Sequence, residues 1–379
     1  MIYLDNAATT RLRGEVLDAM MPWMTENYGN PSSIYKMSRE ARIALDSARD
    51  SVAAALGASS SSEIYFTSGG SESDNWALKG AKKKGKHLIT SQVEHHAILH
   101  TFGALEKDGY EVTYLPVDEF GMVNPKDLRA AIRPDTALIS IMHANNEVGT
   151  IEPIKTLAAI AHDNNILFHC DAVQSVGHIP MNVQEMGADL LSISGHKFNG
   201  PKGVGVLYAK KGTRLEPFID GGGQERGLRA GTENVAGIVG LSKALELAVS
   251  EQENEGKRLT ELRDYAISAI LKIPHTKLNG HPTDRLPNNI NIGFEFIEGE
   301  SLLLMLDSKS VCASSGSACT SGSLDPSHVL LAMGIPHEKA HGSLRLTLGI
   351  DTTKADLDYV IGELTPIVER LRAMSPLGH

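Results

Sequence analysis

Short apolar runs and helix-period segments alternate along the first two-thirds of the chain. SREARIALDSARDSVAAALG, residues 38–57, spaces its apolar positions as one helix face and stops at Gly57, which suits the position just past a helix end. EIYFT (63–67) reads as a strand, followed by the turn SGGSES and a helix expected to begin near Asp74. HLIT (87–90), EVTYL (111–115), TALISIM (136–142), ILFHC (166–170), DLLSIS (189–194) and GVGVLYA (203–209) are further short runs between turn signals. Apolar runs of this length, without strict alternation, fit strands covered on both faces, as in a largely parallel sheet under helices. The pattern is that of an α/β protein.

Past this region the rhythm changes. A helix-rich stretch from about 235 is expected to end at EQENEG, and a second helix to run over 257–272. NINIGF and SLRLTLG (343–349) read as strands, ESLLLML as a helix, and 354–373 as a terminal helix. The division expected is a large domain over 13–255 and a smaller α+β domain built from 1–12 and 256–379. A chain of 379 residues is long enough for two such domains and needs no disulfide staples.

Composition narrows the class. A net charge of −10 argues against a large nucleic-acid footprint or an anionic membrane surface. The three cysteines, Cys170, Cys312 and Cys319, do not form a disulfide framework and fit a reducing cytoplasm. The N-terminal MIYLDNAATT has no basic and apolar leader pattern, and no apolar run approaches the ~20 residues needed to span a bilayer.

Three features carry the chemistry. Lys197 follows a strand and lies in the glycine-rich turn SGHKFNGPKG, where a ligand can approach without competing bulk. Asp171 closes the strand ILFHC, at the end where α/β sheets bind ligands, although a helix N-cap would also explain it. FTSGGSES (66–73) is a strand, glycine turn and helix start, a place where backbone N–H groups suit a phosphate. Each is a weak signal alone. Together they supply what pyridoxal 5′-phosphate requires: a lysine for the Schiff base, an acid for the pyridine nitrogen and a phosphate nest.

YLDNAATT, YGNPSS, FTSGGSESDN, EHHAIL, NNEVG, CDAVQS, SGHKFNGPKG, RAGTEN, SSGSACTSG and SLRLTLG follow one another along the chain. In this order they resemble the cysteine desulfurases of the NifS/IscS type, within the class V aminotransferases, over essentially the whole length. The resemblance implies the pyridoxal-phosphate fold-type I, with a mainly parallel seven-stranded sheet in the large domain. It implies Lys197 as the Schiff-base residue that also moves the Cα proton, Asp171 on the pyridinium nitrogen and Gln174 on the phenolic oxygen. His95 would stack on the ring. Gly70, Ser71, Ser194 and His196 would hold the phosphate, joined by Thr232 reaching across from the partner subunit of a homodimer. Asn146 and Arg345 would take the substrate carboxylate, Arg345 foremost because a guanidinium fork fits a carboxylate bidentately.

Within SSGSACTSG, Cys319 has almost nothing apolar to pack against, which predicts a mobile, exposed thiol. The resemblance makes it the nucleophile that takes sulfur from L-cysteine, releases L-alanine and carries a persulfide to an acceptor such as an iron–sulfur scaffold. Selenocysteine lyase is the related alternative. Cys312 is expected to be a buried structural thiol and Cys170 core packing. HEKAH (337–341) fits the H-E-x-x-H zinc-hydrolase pattern, but Pro336 and Gly342 leave room for only a short turn, so no metal site is expected. GAKKKGKH (80–87) is rejected as a P-loop because it follows a helix and has His87 at the magnesium-binding position. The chain ends in PLGH, without the longer extension by which IscS-type members dock a scaffold, which leans the reading toward the NifS branch.

Overall fold

The computed structural model describes residues 1–81, 85–315 and 326–375. Twelve strands are found among them. β1 is Ile2–Tyr3, β2 Ile64–Thr67, β3 His87–Ser91, β4 Glu111–Leu115, β5 Thr136–Ser140 and β6 Leu167–Asp171. β7 is Leu190–Ser194, β8 Gly205–Ala209, β9 Thr276–Leu278, β10 Asn289–Phe294, β11 Val311–Cys312 and β12 Ser343–Thr347.

Seven of these form one sheet in the order β2-β8-β7-β6-β5-β3-β4. β7, β6, β5, β3 and β4 pair in parallel, whereas β8 runs antiparallel to both its neighbours. Every residue of β3, β5, β7 and β8 is buried. That double-sided burial explains their near-continuous apolar runs. One core cluster, with Phe168, Leu191 and Leu241, packs on one side of this sheet; another, with Trp76, Phe102 and Leu207, packs on the other.

A separate cluster holds Leu4, Ile290, Leu344 and Leu364. It lies under the antiparallel sheet β12-β10-β9 and the terminal helix Lys354–Met374. That helix opens on a capping box between Thr353 and Asp356. β1 pairs in parallel with β11, so the first residues of the chain pack against its last third.

Two expectations need correction. The helix after the glycine turn begins at Gly70, four residues before Asp74, because Gly69 takes a backbone conformation open only to glycine (φ +154°, ψ −178°) and starts the helix there. The helix from Val235 does not stop at EQENEG but continues unbroken to Ile270. One interior glycine costs only about 1 kcal/mol relative to alanine, and the glutamates, glutamine, lysine and arginine around Gly256 are good helix formers. Gly57 ends its helix in the left-handed conformation (φ +69°), as its position in the sequence suggests.

Candidate active site

A cavity of ≈ 240 Å³ opens at the C-terminal ends of the parallel strands. Its lining includes Gly70, Ser71, His95, Asn146, Asp171, Gln174, Ser194, His196 and Lys197, all singled out in the sequence. The topology explains the convergence. Asp171 ends β6, Ser194 ends β7, and Gly70 opens the helix that follows β2. Strand ends in such a sheet share one edge, whatever their separation in sequence.

Lys197 reaches out of the single turn Gly195–Lys197 and its Nζ donates to the carbonyls of Ala7 (2.5 Å) and Ala8 (2.9 Å). Asp171 is 4% exposed, and its Oδ1 accepts the Val173 N–H at 2.9 Å. Burial pushes its carboxyl up to about 6, against the pull of that hydrogen bond and of Lys197. His95 caps the helix His96–Lys107, its Nδ1 accepting the Ala97 N–H at 3.1 Å. Burial, reinforced by Lys197 and neighbouring histidines, holds its imidazole down to about 4, so the ring is neutral near pH 7. His196 is likewise held down to about 4 by burial and by Lys197 and Lys202, and its Nδ1 lies 3.1 Å from Thr9 Oγ1.

Arg345 stands just behind the lining. It is 2% exposed in β12; Nη1 donates to the Asn146 carbonyl (2.9 Å) and Nη2 to Asp5 (2.9 Å). Thr232 is exposed and does not line the cavity of its own chain. Cys319 lies outside the described residues. Cys312, expected to be buried, is only half-buried, because β11 is a two-residue strand next to β1 at the surface. Cys170 is fully buried in β6, where desolvation raises its thiol well above the usual range. His337–Ala340 forms a single turn with His337 exposed.

Several site residues were not evident in the sequence. The N-terminal segment supplies the carbonyls of Ala7 and Ala8 to Lys197, and Ala7 also accepts from Gln174 Nε2 at 3.0 Å. Thr10 Oγ1 donates to the His196 carbonyl at 2.9 Å. YLDNAATT stood out as a motif, but its backbone role has no side-chain signal. Asp74 also lines the cavity, 1% exposed and 3.7 Å from His169. Burial, Asp171 and Glu94 raise its carboxyl well above the usual range.

These residues fit pyridoxal 5′-phosphate. The N-terminus of helix Gly70–Gly80 meets Ser194 and His196 in one recess, a setting for a dianion. A Cβ at Gly70 would lie 2.8 Å from Val173 Cγ2, so the close backbone approach there depends on glycine. Asp171 is a buried carboxylate on the same cavity, and a protonated ring nitrogen would offset its desolvation. The neutral imidazole of His95 suits an aromatic ring.

Lysine, acid and anion nest at the strand ends of an α/β sheet define a pyridoxal-phosphate enzyme of fold-type I. The family model for class-V aminotransferases matches residues 2–360. The cysteine desulfurase IscS of Methanosarcina thermophila is 60% identical over 380 residues, covering 99% of this chain and 94% of that protein. A solved NifS-like protein superposes with a TM-score of 0.92 at 40% identity, covering 98% of this chain and 100% of that one. SspA, solved in complex with cysteine, superposes with a TM-score of 0.81 at 38% identity, covering 92% and 99%. The chain belongs to the class-V aminotransferase family and, within it, to the cysteine desulfurases. Its cofactor is pyridoxal 5′-phosphate. Relatives at 56–60% identity carry the IscS name, and solved neighbours at 31–40% identity carry the NifS-like name.

Proposed function

We propose that the protein converts L-cysteine to L-alanine and takes the sulfur onto Cys319 as a persulfide, for delivery to an iron–sulfur scaffold or another sulfur acceptor. The observation that carries this reading is the position of the described residues that flank Cys319 in the sequence. On its N-terminal side, Ser314 pairs through its backbone with Arg345 (2.6 and 3.2 Å). On its C-terminal side, Ser327 Oγ donates to the buried Glu147, next to Asn146, at 2.5 Å. Ser314 therefore pairs with Arg345, and Ser327 with the neighbour of Asn146; Arg345 and Asn146 are the two residues assigned to the substrate carboxylate.

Bound pyridoxal phosphate supplies the electron sink for charge at the substrate's Cα. Lys197 would hold the cofactor and carry the proton between Cα and its neighbours. Asp171 would keep the ring nitrogen protonated, Gln174 would hydrogen-bond the phenolic oxygen, and Gly70, Ser71, Ser194 and His196 would hold the phosphate. Arg345 and Asn146 orient the substrate. In the sulfur step, the Cys319 thiolate attacks the substrate sulfur, an S–S bond forms, the Cβ–S bond breaks, and protonation gives alanine. SspA bound to cysteine, at 38% identity, supports the choice of substrate.

A homodimer with shared sites completes the reading. Its support is the exposed Thr232 and a run of exposed apolar side chains, Tyr28, Ile34 and Ile43, Ile34 being 91% exposed. The two-domain division at 12/13 and 255/256 is supported by the separate core that gathers Leu4 with Ile290 and Leu364. The cytoplasm fits a thiol chemistry that needs reducing conditions, and among the described residues no helix is long and apolar enough to cross a membrane.

The test is mass spectrometry after brief incubation with cysteine. Extra sulfur is expected on the Cys319 peptide in the wild type and in Cys312→Ser. Cys319→Ser is expected to keep the visible absorbance near 400 nm, carry no persulfide and release almost no alanine. Sulfur found only on Cys312 or Cys170 would overturn the assignment.

A further inference from the structure

This inference rests on the reading of Arg345 as the receptor for the substrate carboxylate. Arg345 is almost fully buried, and a buried guanidinium is stable only with a counter-charge and filled hydrogen bonds. Asp5 supplies the charge: its Oδ1 lies 2.9 Å from Nη2, with side-chain exposures of 3% for Arg345 and 19% for Asp5. The Asn146 carbonyl holds Nη1 at 2.9 Å. The two terminal nitrogens are thus tied to different parts of the chain.

Asp5 is itself fixed. It bridges in parallel to Thr347, two residues along β12 from Arg345 and so on the same face of that strand. The Ala7 N–H donates to Thr347 Oγ1 at 2.8 Å, and Tyr3 Oη and the Ala8 N–H both donate to the Asp5 carbonyl. Two and three residues further on, the carbonyls of Ala7 and Ala8 receive Lys197. One short segment therefore connects the lysine of the chemical step with the arginine of substrate binding.

We propose that Asp5 is a positioning residue for substrate recognition: its carboxylate holds the Arg345 guanidinium beside Asn146, so an incoming carboxylate meets an oriented fork. An arginine side chain has four rotatable bonds, and ordering it before the substrate arrives removes that entropy from the binding step. The effect is specific to ligands with a carboxylate. Asp5 also places a negative charge near the substrate's own. If that repulsion were the larger effect, removing Asp5 would tighten binding.

The experiment is a visible-absorbance titration of the holoenzyme with L-alanine and with alaninol, which lacks the carboxylate, alongside steady-state kinetics on cysteine. Asp5→Ala is expected to raise the Kd for alanine and the KM for cysteine roughly 10- to 100-fold, the span of one lost hydrogen bond to a charged group. It should leave kcat within about twofold and alaninol binding unchanged. Asp5→Asn keeps an oxygen acceptor for Nη2 and should recover most of the affinity. In an Arg345→Ala background, Asp5→Ala should cause no further loss, because the two act as one unit. Unchanged or tighter alanine binding in both Asp5 variants, with Arg345→Ala still weakening it, would overturn the role of Asp5 alone. Equal weakening of alanine and alaninol would make Asp5 structural and also overturn it. If Arg345→Ala leaves alanine binding unchanged, the reading of Arg345 fails, and the proposal with it.

Discussion

At the scale of single residues, burial decides the chemistry. Asp171 is an ordinary aspartate by sequence, yet desolvation lifts its carboxyl to about 6. The sign of the pH effect follows. With the folded pKa above the ordinary 3.8, the folded state binds the proton more tightly, so this residue's contribution to stability falls as pH rises from about 4 to 6. Asp171→Asn cannot ionise. The apoprotein of this variant should lose less melting temperature across that window than the wild type, and its holoenzyme should lose orders of magnitude in turnover, each tenfold being ~1.4 kcal/mol of barrier. Parallel melting curves for the two apoproteins, or wild-type turnover in the variant, would contradict the assignment. His95 shows the same control in the opposite direction, held neutral by its surroundings.

At the scale of elements, the junction of β2 with helix Gly70–Gly80 carries the most information. Gly69 takes a conformation open only to glycine, and Gly70 lets the backbone approach Val173. Gly70→Ala should raise the dissociation constant for pyridoxal phosphate, measured by absorbance titration of the apoprotein, with little effect on the fold. Gly362 is the control. It lies exposed in the middle of helix Lys354–Met374 with nothing near its missing Cβ. Gly362→Ala should stabilise the protein by about 0.5–1 kcal/mol in denaturant melts and leave cofactor binding alone. Equal effects of the two substitutions on cofactor affinity would deny Gly70 its special place.

At the scale of the whole molecule, the question is whether one chain makes a complete site. The cavity of a single chain gathers Lys197, Asp171, His95, Gly70, Ser194 and His196, while Thr232 stays exposed. If Thr232 serves the partner's phosphate, Lys197→Ala and Thr232→Trp can complement each other. Each is expected to be inactive alone. A heterodimer of the two carries one site with both defects and one with neither, so activity should partly return after subunit exchange. Exchange verified by mass, with no recovered activity, would rule out shared sites.

The sequence by itself determined the strands of the seven-stranded sheet and most of the helices around it, because runs buried on both faces of a parallel sheet must be apolar throughout. It also determined the residue types of the site, since a lysine, an acid and a glycine turn at strand ends leave local signatures. It could not place the end of the helix through EQENEG, where ordinary helix formers override one glycine. Only the tertiary structure decided that residues 5–10 join the site, because their part is played by backbone carbonyls and by an acid 340 positions from its arginine. Only it set the half-burial of Cys312 and the displaced titrations of Asp171 and His95. Those depend on what surrounds a side chain in space, and the order of residues along the chain does not encode that surrounding locally.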